Sequence, residues 1–277
     1  MANDSPRVCV VIPAKNSSKY IGKTIASLKL QTIQPVKIVV VDDGSSDNTA
    51  EVAKKLGAEV IRLPDIGVYA TGTPHLAYVI NKGIRRCLSC NPDFILIAGS
   101  DDVFPPKYIE ELYEKFKQNR KLAIASGYVI GEPWNEEAPR GGGRMIKVDV
   151  LRRLGLYPYN YGWETYLVFK ARMYGYDVRT YNIGFISQRP SSRNPFKCYF
   201  IGKGMRALGY TVLYALGRAF LLLFKGKYRC ALFMLKGYLS RVKQYDDIKD
   251  YVRYLQYKKL LSIKPMLTTL RNALPRA

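Results

Sequence analysis

Two pairs of adjacent aspartates stand just beyond two short apolar runs of the sequence. Asp42 and Asp43 directly follow the first run, and Asp101 and Asp102 stand two residues beyond the second. Open α/β sheets bind their ligands beyond the carboxyl ends of the strands. Carboxylates at that edge can hold a divalent cation, and the cation can hold a diphosphate. The sequence therefore predicts a site for a phosphorylated ligand.

Each aspartate pair also has a plainer interpretation as a helix-capping turn. Asp42 and Asp43 are followed by Gly44 and Ser45, and all of these residue types favour turns. In the functional interpretation, the two carboxylates accept hydrogen bonds from a base N–H and a ribose hydroxyl. The second pair of carboxylates would repel each other, and a divalent ion would relieve that repulsion. Two such turns at two strand ends favour a binding site over two unrelated caps.

A third candidate is Glu164, which follows an aromatic, glycine-containing stretch at 157–162. A carboxylate in such surroundings can have a raised pKa and act as a general base. The alternative is a glutamate in the first turn of a helix, where the macrodipole favours negative charge. The neighbouring Trp163 can stack on a sugar or pack in the core, and both interpretations stay open.

Two arginines follow the last predicted strand. Arg189 or Arg193 can neutralise a diphosphate leaving group, because a guanidinium suits bidentate phosphate contacts. The alternative is a solvated basic loop, which we favour for Arg193.

The elements that must position these residues alternate between strand and helix up to about residue 126. Such alternation predicts an α/β fold with a mostly parallel sheet and helices on both faces. After a polar loop at 131–144 the alternation breaks, and from 195 onward the chain is helical, basic and aromatic. The predicted strands are 7–12, 37–41, 59–63, 94–98, 122–126 and 178–186, and the predicted helices are 48–56, 74–88, 107–118, 148–154, 165–174 and one that carries Ile21, Ile25 and Leu28.

The charge of the chain is uneven. The formal net charge is +22, and the last 83 residues hold 17 Lys/Arg against 3 Asp/Glu. Such a region favours a polyanionic partner: a membrane surface, a nucleic acid or a phosphorylated substrate. Within 196–261, cations alternate with large apolar side chains, as in helices that lie on an anionic bilayer. The alternative is a helical subdomain that buries its apolar face on the rest of the protein, and both can hold together.

The sequence opens without a signal-peptide pattern and contains no uncharged apolar run of about 20 residues. We therefore expect a cytoplasmic protein without a membrane span. The five cysteines are odd in number and widely scattered, which argues against a disulfide framework. Cys87 and Cys90 have C-x-x-C spacing, but no second pair completes a zinc site, so we expect reduced thiols.

Several segments together carry a resemblance to a known family. In their order and spacing, the chain resembles the inverting family 2 glycosyltransferases, which have the GT-A (nucleotide-diphospho-sugar transferase) fold. The resemblance covers about residues 7–190, and the combination is specific although each segment alone is weak. The matching segments are 10–16, 41–49, 81–84, 97–105, 143–146 and 162–164.

The resemblance implies a role for each matching residue on the nucleotide side. Pro13, Ala14 and Asn16 line the nucleotide pocket, largely through their backbone. Asp42 and Asp43 bind the base and the ribose. Residues 1–194 are then the catalytic domain, with 7–126 as the nucleotide-binding half and 127–194 as the acceptor-side half, and residues 195–277 are a basic amphipathic region.

The resemblance also implies the residues that hold the reacting groups. Asp101 matches the last Asp of the D-x-D motif and ligates the metal, Mg²⁺ or Mn²⁺, with support from Asp102. Glu164 is the catalytic base, which deprotonates the acceptor hydroxyl for attack on the anomeric carbon. Apart from the resemblance, Ser100 and Arg189 are expected to bind the donor, Arg189 through its bidentate contact with phosphate.

Two residues are expected on the acceptor side, and two positions depart from the family pattern. Arg144 and Trp163 are the acceptor-side residues. Gly99 replaces the first Asp of D-x-D, which removes one side-chain ligand of the metal. The usual Glu-Asp pair is Trp163-Glu164 in this chain, so the base reaches one methylene further.

The sequence as a whole predicts an enzyme that moves a sugar from a nucleotide-sugar donor to an acceptor hydroxyl. The acceptor is expected to be a glycan or a lipid-linked sugar, at the inner face of the plasma membrane. One alternative is a basic nucleic-acid-binding protein, although no specific nucleic-acid motif is recognised. Others are an inactive scaffold of the same fold and a sugar-nucleotide nucleotidyltransferase, which would need a glycine-rich phosphate loop where Pro13–Asn16 stands.

Overall fold

The computed structural model describes residues 5–68, 70–189 and 195–261. The chain packs as two units, of which the first contains the sheet and the second contains mainly helices. The predicted boundary at residue 194 and the predicted halves of the catalytic domain remain predictions. The first unit comprises Met1–Tyr69, His75–Tyr157 and Tyr174–Ser191, and the second comprises Ala70–Pro74, Pro158–Met173 and Ser192–Ala277.

The first unit is built on a sheet of eight strands in the order β3-β2-β1-β4-β7-β6-β8-β5. The pairs β1–β2, β1–β4, β2–β3 and β6–β8 are parallel, whereas β7 pairs antiparallel with β4 and β6. The prediction of a mixed α/β fold with a mostly parallel sheet is confirmed. The strands are β1 Val8–Ala14, β2 Lys37–Asp43, β3 Glu59–Leu63, β4 Phe94–Ile97, β5 Asp102–Val103, β6 Leu122–Val129, β7 Arg144–Lys147 and β8 Asp177–Ser187.

The central strands are apolar throughout because helices cover both of their faces. Val10 and Val40 belong to a core cluster with residues of α1 and α4. On the opposite face, α3 approaches so closely that a Cβ on Gly83 would lie 2.4 Å from Cγ1 of Val11. The helices of this unit are α1 Ser18–Lys29, α2 Thr49–Lys55, α3 Pro74–Leu88, α4 Tyr108–Gln118 and α5 Val148–Leu154.

Two strands were missed by the sequence analysis. β7 begins at Arg144, the last residue of the predicted loop, and it has only four residues. Its strand character comes from antiparallel pairing with β4 and β6, which lie far away in sequence. β5 has only two residues and pairs antiparallel with β8. Strands this short carry no periodic pattern, so only the tertiary pairing defines them.

The second unit contains five helices within the described residues. Met205, Met234 and Tyr238 form the centre of one apolar cluster, and Tyr166 and Tyr245 belong to another. The described helices fall short of the length and apolar character needed to cross a bilayer. Residues 262–277 of the predicted basic region lie outside the described residues. The helices are α6 Trp163–Met173, α7 Pro195–Ala207, α8 Val212–Phe224, α9 Tyr228–Leu239 and α10 Lys249–Leu261.

The expectation of reduced thiols is wrong for four of the five cysteines. Cys9 on β1 is bonded to Cys87 on α3, and Cys198 on α7 is bonded to Cys230 on α9. The Cα atoms of the pairs lie 5.8 and 5.3 Å apart, inside the usual disulfide range. Cys90 is free. The partners are 78 and 32 residues apart, and only the packing of the elements brings them together.

Candidate active site

The ends of three neighbouring parallel strands form one edge of the first unit's sheet. β2, β1 and β4 lie side by side and run in the same direction, so the loops after them meet at that edge. Ser17 connects these loops: its Oγ lies 2.9 Å from Oγ of Ser100, and its N–H donates to Oγ1 of Thr49 at 2.7 Å. The two aspartate pairs therefore lie at the same edge of the sheet.

The loops after β1 and β2 are tied together by Asn16. Its backbone N–H donates to Oγ of Ser45, and its Oδ1 accepts from the N–H of Ser46, both at 2.9 Å. Asn16 has a φ of 49°, a left-handed conformation that asparagine tolerates better than most residues. Just before it, Pro13 and Ala14 form the last parallel pairs of β1 with β2. The predicted backbone contacts of these residues with a nucleotide stay predictions.

Asp42 and Asp43 are both buried at the end of β2. Oδ1 of Asp42 accepts from the N–H of Ser45 at 3.0 Å, and Arg62 Nε lies 3.6 Å from its Oδ2. Oδ1 of Asp43 lies 2.8 Å from Nε2 of His75. Within the described part of the chain, Oδ2 of each aspartate has no hydrogen-bond partner. The site thus holds two buried acceptors without donors.

Asp101 and Asp102 differ sharply in their surroundings. Asp101 is partly exposed, and its Oδ2 accepts from Oγ of Ser187 at 3.0 Å. Asp102 is buried, and its Oδ2 accepts from the N–H of Gly99 at 2.6 Å. The pKa of Asp102 is raised to about 7: burial is the main cause, the bond from the N–H of Gly99 opposes the rise, and the negative charge of Asp101 adds to it. Asp101 is therefore the carboxylate available to a cation.

Two glycines, Gly99 and Gly142, lie against the carboxylate of Asp102. A Cβ on Gly99 would lie 2.8 Å from Oδ2 of Asp102, and a Cβ on Gly142 would lie 2.6 Å from the same atom. Asp102 thus occupies the space in which a side chain at position 99 would begin. A side chain at position 99 would therefore force the carboxylate of Asp102 to move.

Arg189 lies at the same edge of the sheet, after β8. Its Nη2 donates to Oγ of Ser17 at 2.5 Å, and its guanidinium carbon stands 4.8 Å from the centre of the Tyr20 ring. Nε of Arg189 is buried and meets no acceptor among the residues that the structure describes. A phosphate oxygen would satisfy this donor. Arg193, the other predicted candidate, lies outside the described residues.

The residues present are compatible with a cation held jointly with a ligand. No group of three or more His, Cys, Asp or Glu side chains in the described ranges can enclose a metal by itself. Mg²⁺, however, is commonly bound by one or two carboxylates together with substrate phosphates. Asp101 fits that pattern, whereas Oδ2 of Asp102 is engaged by the N–H of Gly99.

Arg144 is largely used inside its own loop. Its side chain is buried in the first unit, where Nη2 donates to the carbonyl of Pro139 at 2.6 Å and Nε to that of Arg140 at 2.9 Å. Its Nη1 lies 3.4 Å from the hydroxyl of Tyr157. These bonds stabilise the loop before β7, and the acceptor-side role stays a prediction.

Trp163 and Glu164 open α6 in the second unit. Trp163 is 5% exposed and donates from Nε1 to the carbonyl of Thr73 at 3.2 Å, which corresponds to the core-packing interpretation. Gly162 precedes it with a φ of 75°, and a Cβ there would lie 3.0 Å from the carbonyl oxygen of Gly204. Glu164 is partly exposed in the first helical turn, and its role as base stays a prediction.

Sequence reasoning missed several residues of the first unit's site. The predicted residues are contacted by His75, Ser17 and Tyr20, and Gly142 leaves space for the carboxylate of Asp102. None of these four residues belongs to a matched segment of the family. Asp43 and His75 are 32 residues apart, so their pairing depends on β2 and α3 packing together. The one available signal was that His75 is the only histidine of the chain.

A family profile and curated relatives match the part of the chain that contains this site. The profile described as "Glycosyl transferase family 2" matches residues 9–188. Uncharacterized protein MJ1222 of Methanocaldococcus jannaschii is 37% identical over 105 residues, which are 38% of this chain and 40% of that protein. Glycosyltransferase GlyG of Streptococcus pneumoniae is 28% identical over 124 residues, 45% of this chain and 40% of that protein. The matches thus span about two fifths of these relatives.

Solved structures of low identity share the fold. Mannosyltransferase PcManGT from Pyrobaculum calidifontis, in complex with GDP-Man and Mn²⁺, has a TM-score of 0.62 at 15% identity, covering 98% of this chain and 85% of that one. S. aureus TarS 1-349 in complex with UDP has a TM-score of 0.51 at 17% identity, covering 72% of this chain and 64% of that one.

We predict that Gly99→Ala destabilises the protein. The added carbon would lie 2.8 Å from Oδ2 of Asp102 and would disrupt its bond to the N–H at position 99. Loss of such a buried bond should lower the free energy of unfolding by about 1–3 kcal/mol, measured by urea denaturation. The control is Gly217→Ala in α8, where no atom lies within 4 Å, and it should be neutral or stabilising by up to ~1 kcal/mol. Equal stability of the Gly99→Ala variant and the wild type would contradict the packing argument.

Proposed function

The chain belongs to glycosyl transferase family 2, and we propose that it is an inverting enzyme that uses a nucleotide-sugar donor and a divalent cation. We further propose that the acceptor is a glycan or a lipid-linked sugar, and that the enzyme works peripherally at the inner face of the plasma membrane. The observation that carries the donor proposal is the set of unsatisfied polar atoms at one edge of the sheet: Oδ2 of Asp42, Oδ2 of Asp43 and Nε of Arg189.

These atoms match the parts of a nucleoside diphosphate. The two buried carboxylate oxygens need donors, and a base N–H and a ribose hydroxyl are donors. The buried Nε of Arg189 needs an acceptor, and a diphosphate oxygen is a strong one. The hydroxyl of Ser17 accepts from Nη2 of Arg189 and lies 2.9 Å from that of Ser100. Neighbours of the same fold have been solved with UDP and with GDP-Man, so the fold accommodates more than one nucleotide.

Asp101 is the proposed protein ligand of the cation. Bound Mg²⁺ or Mn²⁺ would neutralise charge that develops on the leaving diphosphate. Arg189 would add a fixed positive charge on the same group, because its guanidinium is held by Ser17 and by the ring of Tyr20. The role of Asp102 is then to shape the turn around Asp101, since its own Oδ2 binds the N–H of Gly99.

Glu164 is the proposed general base. Its carboxylate would take the proton from the acceptor hydroxyl while that oxygen attacks the anomeric carbon. The bond from this carbon to the diphosphate oxygen breaks at the same time, and the nucleoside diphosphate leaves. Attack opposite to the leaving group inverts the configuration of the sugar.

The membrane proposal is carried by the exposed apolar side of α8. Ala215 and Ala219 face the interior of the second unit, whereas six large apolar residues of the helix are exposed. Exposed cations follow directly at Lys225 and Lys227. This combination fits an anionic bilayer surface, with apolar side chains among the acyl chains and cations at the headgroups. The exposed residues are Val212, Leu213, Leu216, Phe220, Leu223 and Phe224.

The nucleic-acid alternative has less support because it rests on net charge alone. Residues 195–277 carry +14 of the net charge of +22, whereas the acidic strand ends of the first unit would repel a phosphate backbone. The inactive-scaffold alternative was suggested by Gly99, and the packing of Asp102 gives that glycine a structural reason.

We predict that a nucleotide-sugar donor raises the melting temperature of the protein only in the presence of Mn²⁺ or Mg²⁺. A ligand at 100 times its Kd stabilises the native state by about 2.7 kcal/mol. Asp101→Asn should remove the metal-dependent part of the shift, which is measured by thermal denaturation with metal and with EDTA. Asp149→Asn, at an exposed aspartate of α5, is the control and should retain it. A shift that survives in Asp101→Asn would exclude Asp101 as the ligand.

We predict that Glu164→Gln abolishes transfer while the donor still binds. Removing a general base costs about 10²–10⁴-fold in rate, because the neutral amide cannot accept the proton. The rate is measured with radiolabelled donor on a panel of glycan and lipid-linked acceptors, and donor binding by calorimetry. Glu111→Gln, at an exposed position of α4, should keep the wild-type rate within about twofold. Wild-type transfer by Glu164→Gln would assign the base to another residue.

We predict that the protein binds anionic vesicles and that α8 carries the contact. Each cation near the surface contributes about 1 kcal/mol, so Lys225→Gln with Lys227→Gln should weaken partitioning about 30-fold. Phe220→Ser with Phe224→Ser should also weaken it, in sedimentation with phosphatidylglycerol-containing vesicles. Leu30→Ser, which removes a 72% exposed apolar residue from the first unit, is the control. Equal binding of all variants, or binding to neutral vesicles alone, would contradict this surface.

A further inference from the structure

A lysine of the second unit lies between two tyrosine rings of the same unit. Nζ of Lys203, on α7, stands 4.6 Å from the centre of the Tyr161 ring and 4.9 Å from the centre of the Tyr199 ring. It also lies 3.4 Å from the hydroxyl of Tyr161. The ring of Phe200 stacks on that of Tyr161, with centroids 6.0 Å apart. Aromatic faces attract a cation but leave its charge unneutralised, so Lys203 holds a fixed positive charge at this place.

Lys203 has no acidic partner within the described part of the chain. Its Nζ forms no ion pair there, and of its three N–H donors one meets an acceptor, the hydroxyl of Tyr161. Lys170 of the same unit differs, because its Nζ stands 5.2 Å from the centre of the Tyr166 ring and 3.2 Å from Oδ2 of Asp247. A partly buried charge is unfavourable unless it is paired. An anionic ligand would supply the missing partner of Lys203.

The stretch of sequence around Lys203 offers no carboxylate either. Residues 195–245, which contain α7, α8 and α9, have ten Lys/Arg and no Asp or Glu. Lys203 is one of these cations. Another is Lys243, whose carbonyl accepts at 2.8 Å from Nδ2 of Asn160, the residue before Tyr161. A stretch whose charged residues are all positive attracts anions, and these contacts bring it to the turn at Tyr161.

The same turn leads into the proposed general base. Gly162 follows Tyr161, and α6 carries Glu164 as its second residue. A Cβ on Gly204, the residue after Lys203, would lie 3.1 Å from Cα of Gly162, so α7 is packed closely against this turn. The three residues from Tyr161 to Glu164 span at most about 11 Å. One phosphorylated sugar can therefore meet Lys203 with its phosphate and Glu164 with its hydroxyl.

We propose that Lys203 binds a phosphate group of the acceptor and makes the enzyme selective for phosphorylated acceptors. This inference rests on the proposed function, because it specifies the acceptor of the same transfer reaction. A phosphate fits because its oxygens accept charge-assisted hydrogen bonds from an ammonium. The phosphate belongs either to a free sugar phosphate or to a lipid-linked sugar. Lys203 touches the acceptor away from its reacting hydroxyl, so its removal should raise KM for the acceptor and leave kcat unchanged.

The first measurement compares four forms of each acceptor sugar on the wild-type protein. They are the methyl glycoside, the 1-phosphate, the geranyl glycoside and the geranyl phosphodiester, and transfer is followed with radiolabelled donor. We expect kcat/KM to be at least about tenfold higher for each phosphorylated form than for its neutral counterpart. Preference for the geranyl phosphodiester over the 1-phosphate supports a lipid-linked acceptor, and equal use of both supports a free sugar phosphate. Equal use of phosphorylated and neutral forms would overturn the inference and leave the proposed function standing.

The second measurement uses variants of Lys203. Lys203→Gln should raise KM for the phosphorylated forms about tenfold, because it removes the charged donor, and should leave kcat and the use of neutral forms within about twofold. Lys203→Arg should restore most of the preference, since a guanidinium also binds phosphate and stacks on aromatic rings. Lys117→Gln in α4 is the control, because Nζ of Lys117 stands 5.2 Å from the centre of the Tyr113 ring but forms an ion pair with Glu114. It should behave as the wild type.

The third measurement does not depend on turnover. The phosphorylated forms are titrated by calorimetry in EDTA into the wild type and into Lys203→Gln, and nucleotide-sugar donors are titrated in Mn²⁺. We expect Lys203→Gln to bind the best phosphorylated form about tenfold more weakly and the donors as tightly as the wild type. Equal affinity of the two proteins for every phosphorylated form, or no binding of any, would overturn the inference. Absence of donor binding by the wild type would overturn the proposed function as well.

A structural role of Lys203 gives a different pattern. Lys203→Gln would then lower the use of neutral and phosphorylated acceptors by the same factor, together with the melting temperature, and that pattern would overturn the inference. Thermal denaturation of each variant shows how much of the protein is folded, so that the kinetic constants and affinities refer to native protein.

Discussion

The site depends on keeping carboxylates at a buried edge of the sheet. A charge removed from water is unfavourable unless it gains donors or opposite charges. Asp42 receives the N–H of Ser45, Asp43 receives His75, and Asp102 receives the N–H of Gly99. These bonds satisfy one oxygen of each group. The remaining oxygens of Asp42 and Asp43 have no hydrogen-bond partner among the described residues, and in the proposed function a ligand supplies the missing donors.

The close packing around these buried carboxylates leaves no room for a side chain at several glycines. The carboxylate of Asp102 occupies space that a side chain at Gly99 or Gly142 would enter. At the end of β2, Gly44 has a φ of 69°, and a Cβ there would lie 2.4 Å from Cα of Asp65. The departure from the D-x-D pattern at position 99 is therefore tied to a local packing solution. Asp101, one residue before Asp102, keeps a partly exposed position and is left available for a cation.

The sequence predicted what depends on local pattern, and it missed what depends on distant contacts. β3 and α3 have the predicted bounds, because periodicity and a helix-starting proline at 74 define them. The short β7 exists only through pairing with β4 and β6. The bond between Cys9 and Cys87 and the contact of His75 with Asp43 join residues on different elements. Nothing in the neighbouring sequence indicates such partners, so a single sequence could place Asp43 at the site but could not show which of its oxygens is free.

The fold depends on many residues, whereas the choice of ligand depends on a few polar atoms. At 15–17% identity the neighbours keep the fold, because many apolar sequences satisfy the same buried strand pattern. Ligand choice rests on far fewer atoms, since one unpaired buried acceptor is enough to reject a ligand without the matching donor. In the proposed function, those atoms are Oδ2 of Asp42, Oδ2 of Asp43 and Nε of Arg189. These three atoms, which lie together at one edge of the sheet, therefore restrict the choice of ligand more than the fold itself does.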